Sequence, residues 1–402
     1  LRAAKQLRED ARRIWQAGVD AVRPERLIPE VVCVDGETLQ IGELEVDLAQ
    51  VDRIAIVGAG KAGAGMTLAL ESVLSHVPGC CGDPGQLDPT KVFGWVNVPA
   101  DCLATTRCVT LHAARPAGVN EPRPEGVAGT AEMLRLVCQL GPRDLCFCLI
   151  SGGGSALLPA PMEGFTLENK IALTREISAR GGTIEQLNAV RRELSTIKGG
   201  GLARACKAGK LISLVLSDVL GDDLEVIASG PTVPREATPE LAIQVLEDLQ
   251  LRDHPAAKEA IRCLQPRTPK GASGVELSCA VHNLLIGNNA TAVDAAGMEA
   301  ERLGYSHAMI SASESEGTAE SVAKHLVAMA QSMRTDTTPS GDGPDCLISG
   351  GEPTVQLAAA ADRGKGGRNQ QLALAALTDL HDWQGLALLA GGTDGEDGPT
   401  DA

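Results

Sequence analysis

The sequence has 402 residues, with 36 Lys and Arg against 52 Asp and Glu for a net charge of −16, and only 2% of it is aromatic. That length suits two or three domains, the negative field disfavours nucleic acid, and the shortage of aromatic faces disfavours carbohydrate stacking. No stretch approaches the roughly 18 uninterrupted apolar residues of a membrane span, so neither nucleic acid nor membrane is an expected partner.

The 45 glycines lie among aliphatic residues, which points to α/β architecture with tight strand-to-helix turns. The 12 cysteines include the adjacent Cys80 and Cys81, and Cys146 and Cys148 on one apolar run, but no CxxC pair. Thiols in a reducing compartment are therefore expected rather than a zinc site. The sequence begins at Leu1, not Met; a cytoplasmic location is expected, or a mitochondrial one where a targeting segment precedes it.

Helical spacing of Leu7, Ile14 and Val19 predicts an N-terminal amphipathic helix over residues 1–21. A strand at 53–57 runs into a glycine turn and a helix at 64–74, and strands follow at 92–98 and 108–112. A proline-rich loop at 115–124 precedes a helix at 125–140 and a buried strand at 145–150. Helices at 166–179 and 183–195 have Thr166 and Thr183 as N-caps, and a strand at 211–216 delivers Asp218 to its end. The stretch 231–278, with two helices, reads as the domain boundary, giving domains 1–235 and 236–402. Strands at 280–286, 307–311, 346–349, 354–357 and 386–390 then alternate with helices at 290–303, 319–333 and 369–380, with a polar linker at 335–344.

In α/β sheets ligands bind where strands stop, so the residues after each apolar run carry the chemistry. Gly58, Gly60, Lys61 and Gly63 form GxGxxG, a dinucleotide fingerprint only when an acidic residue closes the second strand. No convincing acid stands there, and Lys61 at a helix start suits a phosphate or carboxylate instead. Ser151, Gly152, Gly153, Gly154 and Ser155 offer backbone N–H groups and hydroxyls to an anion. Neither loop is a P-loop. Lys198 before three glycines is another candidate anion contact, although a helix ending in lysine and glycine explains it equally well. Arg368 and Asn369 follow a Gly-Lys-Gly-Gly run, where arginine can grip phosphate oxygens. Asp394 and Asp397, three apart in a glycine loop, are hard oxygen donors suited to Mg²⁺ or, alternatively, Asx-turn residues.

The motifs VGAGKAGAGM, LISGGGSALLPAP, LNAVRRELSTIKGGGLA, LSDVLGDDLEVIASGPT, IGNNATAVDAA, SGGEPTVQL, GKGGRNQQLALAAL and GGTDGEDGPTDA together resemble, in the same order, the class II glycerate kinases. The resemblance implies ATP-dependent phosphorylation of D-glycerate to 2-phosphoglycerate, with Mg²⁺. It implies a two-domain α/β fold, a Rossmann-like N-terminal domain facing a smaller α/β C-terminal domain across an active-site cleft. It places the family's active-site cations on Lys61 and Arg368, its SGGGS loop on Ser151 to Ser155, its SDV aspartate on Asp218, and its acidic loop on Asp394 and Asp397. Asp218 is expected to accept or align the substrate hydroxyl proton. Relatives continue past GPTDA, whereas this sequence stops at Ala402, so a truncated C-terminal domain is expected. The alternatives are an NAD(P)-dependent glycerate or hydroxypyruvate dehydrogenase, motivated by GxGxxG, and a truncated form that only binds ligand.

Overall fold

Two Gly-Glu loops organise the first sheet of the computed structural model, which describes residues 2–77, 87–265, 277–335, 343–356, 358, 362, 364–395 and 397–398. Gly36 and Gly42, at φ of 58° and 57°, join β1 (Val32–Asp35), β2 (Thr38–Ile41) and β3 (Leu44–Asp47) into antiparallel hairpins. Positive φ at the first loop residue is what a two-residue hairpin needs. This sheet, and the helix Pro24–Val31 before it, had no counterpart among the expected elements.

The apolar runs after it become a six-stranded sheet of β4 (Arg53–Ala59), β5 (Val92–Pro99), β6 (Val109–Arg115), β7 (Asp144–Ile150), β8 (Lys210–Leu216) and β9 (Ala280–Gly287). Their order across the sheet is β6-β5-β4-β7-β8-β9, and every pair from β6 to β8 is parallel. Parallel strands are covered on both faces, so they read as continuous apolar runs rather than alternations; β7 is buried at every position. The helices Gly63–Leu74 and Pro124–Cys138 return the chain between strands. The order reverses between β4 and β7, and the loops leaving the carboxyl ends of those two strands occupy the place where such sheets bind ligands.

Four helices, Leu167–Ala179, Ile184–Glu193, Pro239–Asp248 and Pro255–Leu264, pack around a separate core that includes Phe165, Leu173, Leu187, Val190 and Leu246. Thr166 and Thr183 cap the first two as expected, Thr183 in a full capping box with Gln186.

Residues 28–286 form one compact unit, and 1–27 with 287–402 the other. The division expected at 235/236 falls inside the first unit, because Pro239–Asp248 and Pro255–Leu264 belong to its helical core and β9 to its sheet. In the other unit the helix Ala4–Ala21 packs on Asn289–Arg302, with Ile14 buried against Ala296, Ala300 and Tyr305. β10 (His307–Ser311) and β11 (Cys346–Gly350) pair in parallel, and helices Ala319–Thr335 and Arg368–Asp379 share a core. Two expected strands are not formed among the described residues. Residues 386–390 are irregular; Leu386, Leu388 and Ala390 are partly buried against the two helices without a ladder, and Leu389 is exposed. Thr354 makes only an isolated bridge to Thr318. Cys80, Cys81, linker residues 336–342, Leu357 and Ala402 lie outside the described residues. Among the described residues no helix is long and apolar enough to cross a membrane.

Candidate active site

β4 and β7 are neighbours in register, Ala59 opposite Ile150, so the turns that follow them meet. Lys61 N–H donates to Gly152 O at 2.9 Å, Ala62 N–H to Ser151 Oγ at 3.1 Å, and Ser151 N–H to Ala59 O at 3.2 Å. The GxGxxG glycines make room for this approach: a methyl group at Gly60 would stand 1.9 Å from Ser151 Oγ, and one at Gly58 2.1 Å from Leu149 O. Their chemistry is the joining of two loops, and the dinucleotide reading is not needed to explain them.

The expected anion cradle is narrower than the sequence suggests. Gly154 N–H bonds back to Ser151 O at 3.2 Å and opens the short helix Gly154–Leu157. The N–H groups of Gly152 and Gly153 make no hydrogen bond among the described residues. Gly153 has φ of 76°, and the Lys61 side chain passes 3.5 Å from the point where a side chain there would begin. Asp218, exposed after β8, brings Oδ2 within 2.4 Å of the corresponding point on Gly152, so a side chain at 152 would displace the carboxylate. Lys61, Ser151, Gly152, Gly153 and Asp218 therefore converge on one crevice.

Sequence reasoning missed a further cation there. Arg115 ends β6 and is 2% exposed, and its Nη1 donates to Pro116 O and Val119 O at 3.3 and 2.8 Å. Its Nη2 lies 3.6 Å from the same point on Gly153 that Lys61 approaches. The residue looked like the start of a proline-rich loop; its place at a strand's carboxyl end was the available signal.

Lys198 is turned inward. It is 1% exposed, and its Nζ donates to Ser155 O at 3.1 Å, to Ser155 Oγ, and to Ser229 Oγ at 3.3 Å. All three ammonium protons have protein acceptors, so Lys198 braces the glycine loop from behind instead of offering a direct anion contact. Burial, with Lys170 and Arg191 nearby, holds its pKa well below the ordinary lysine range. Ser229 and Ala228 sit at φ of 62° and 51°, unusual for residues with side chains, and Ser229 Oγ also donates to Asn188 Oδ1 at 3.3 Å.

In the other unit, Arg368 Nη1 donates to Glu352 Oε1. Asp397 Oδ1 accepts from Asn369 N–H and Asn369 Nδ2, both at 2.8 Å, and Oδ2 accepts from Gln370 N–H at 3.1 Å. Asp397 thus caps the helix Arg368–Asp379 from a distant loop, and Asn369 is tied to it. Asp394 is exposed, and among the described residues no three His, Cys, Asp or Glu side chains stand together as a metal site.

Residues 10–265 match a family described as a domain of unknown function (DUF4147), and residues 345–402 match the MOFRL family. The human protein named glycerate kinase is 34% identical over 100% of this chain and 83% of its own. A protein of Thermotoga maritima named D-glycerate 2-kinase is 34% identical over 98% of this chain and 85% of its own. The crystal structure of glycerate kinase from Thermotoga maritima matches with a TM-score of 0.75 at 32% identity, covering 99% of this chain and 86% of that one. With the motif order, the fold and near-complete coverage in agreement, the chain belongs to the class II glycerate kinase family.

Proposed function

We propose that this protein transfers the γ-phosphoryl group of ATP to the 2-hydroxyl of D-glycerate. The observation that carries the proposal is the meeting of the turns after β4 and β7, where Lys61 N–H bonds to Gly152 O and the Lys61 and Arg115 side chains both approach Gly153. Phosphoryl transfer asks for positioning and charge stabilisation more than for covalent chemistry, and two cations beside backbone donors supply both. Asp218, at the edge of the same crevice, is the group suited to accept or align the substrate hydroxyl proton. By its motif, Arg368 is a further cation of this reading. In this reading the six-stranded order is that of a Rossmann-like domain, and the second unit is the family's smaller α/β domain.

Mg²⁺ would accompany the nucleotide and neutralise its phosphates. The described residues do not build a cage for it, since both Asp397 oxygens are engaged by Asn369 and Gln370, and Asp394 stands without two further potential ligands. No step is assigned to the ion.

Formation of ADP from ATP, dependent on added D-glycerate, tests the proposal. Nicotinamide reduction with D-glycerate and no ADP formation would establish the dehydrogenase alternative instead. Saturable glycerate binding by calorimetry with neither reaction would establish a binding protein.

A further inference from the structure

Lys170, on the helix Leu167–Ala179, is 7% exposed, and its Nζ has no hydrogen-bond partner among the described residues. It lines a crevice of about 250 Å³, open mouth included, together with Arg191, Thr174 and the side chains of Phe165, Leu187 and Leu194. Arg191, half-buried on the helix Ile184–Glu193, makes no hydrogen bond or ion pair among the described residues. Burial, and then the Arg191 charge, push the Lys170 ammonium down to about 8, and burial pushes Arg191 down to about 10. No carboxylate contributes to either shift, and Lys198, the next charge, is a third cation. An unpaired buried cation is costly, and an apolar residue of the same size often serves a core as well or better. Lys170 beside a half-buried second cation at one crevice is hard to explain by packing.

We propose that Lys170 and Arg191 form a pocket for a small carboxylate, either the carboxyl end of the substrate or a separate short carboxylic acid. The chemistry fits because a carboxylate accepts from both an ammonium and a guanidinium, and the charge-assisted bonds would satisfy groups the protein leaves unmatched. The crevice is narrow, which suits a group as small as a carboxylate and excludes a bulky ligand. The pocket lies in the same unit as the glycine crevice and is linked to it electrostatically through Lys198, which holds Ser155. Where the carboxylate is the substrate's, the inference rests on glycerate being that substrate; the pocket itself does not.

The test is carbon NMR of the Lys170 Cε in full-length protein carrying labelled lysine, assigned by its loss in Lys170→Met and titrated near pH 8 with sodium acetate or D-glycerate in the absence of nucleotide. A saturable shift with either, with its midpoint raised about tenfold or more in Arg191→Met, supports the pocket. A D-glycerate midpoint about tenfold or more below that of acetate identifies the substrate's carboxyl end, and similar midpoints identify a separate carboxylate. No shift with either acid, or an equal shift with sodium chloride, overturns the proposal. Because no phosphoryl transfer is measured, failure of the kinase reading would leave this result standing. Lys170→Met introduces an apolar side chain into apolar surroundings; should it misfold, Arg191→Met reports the same loss.

Discussion

Gly60, Gly152 and Gly153 act by what they lack. Each would place a side chain against a group of the crevice, Gly60 against Ser151, Gly152 against Asp218, and Gly153 beside Lys61 and Arg115. Around them, Lys61 is the cation the proposed reaction depends on most, so Lys61→Ala should lower turnover by about a hundredfold, as losing one charge stabiliser does. Arg368→Ala, by its motif, should likewise lower turnover with D-glycerate, which steady-state kinetics on the variant will measure. Lys170 gives a prediction about pH. Its folded pKa of about 8 lies below the unfolded value of 10.5, so between the two the unfolded chain binds more protons. Stability against urea should therefore rise as pH climbs through that window, and Lys170→Met should flatten the rise. Lys61, the Ser151 to Ser155 loop and Asp218 were legible because each follows an apolar run. Lys170 was not, since the sequence alone does not say that a cation will be buried, and Arg115 gave only its place at the end of a strand.

Element by element, the long parallel strands and capped helices were readable, because β4, β7 and β8 are apolar after their first residue apart from Ser213, and Thr166 and Thr183 stand where a cap is needed. The run at 386–390 misled for the same reason: an apolar stretch announces burial, not the partner that buries it. Asp397 shows the limit at the site. Three apart from Asp394 in a glycine loop, it suggested metal ligation, yet its oxygens accept from Asn369 and Gln370 on a helix 28 and 27 residues away in sequence. Asp397→Ala should cost about 1 kcal/mol through the lost cap, measurable as a lower urea midpoint. An unchanged midpoint would contradict the capping role.

For the whole molecule, composition did not locate the boundary between units. A division at 235/236 looked sensible because the following stretch is rich in proline, arginine and glutamate, but its helices complete the core begun by Leu173 and Val190. The N-terminal helix, read as the start of the first domain, packs instead with residues near 300. Such returns of the chain are set by tertiary burial that no local pattern encodes. The proposed reaction presents glycerate's 2-hydroxyl to a phosphoryl group held after β4 and β7. Phosphorus NMR of the products formed from ATP, Mg²⁺ and D-glycerate tests this. ADP with 2-phosphoglycerate is the expected outcome; 3-phosphoglycerate as the sole phosphorylated acid, or no phosphorylated acid at all, would refute it.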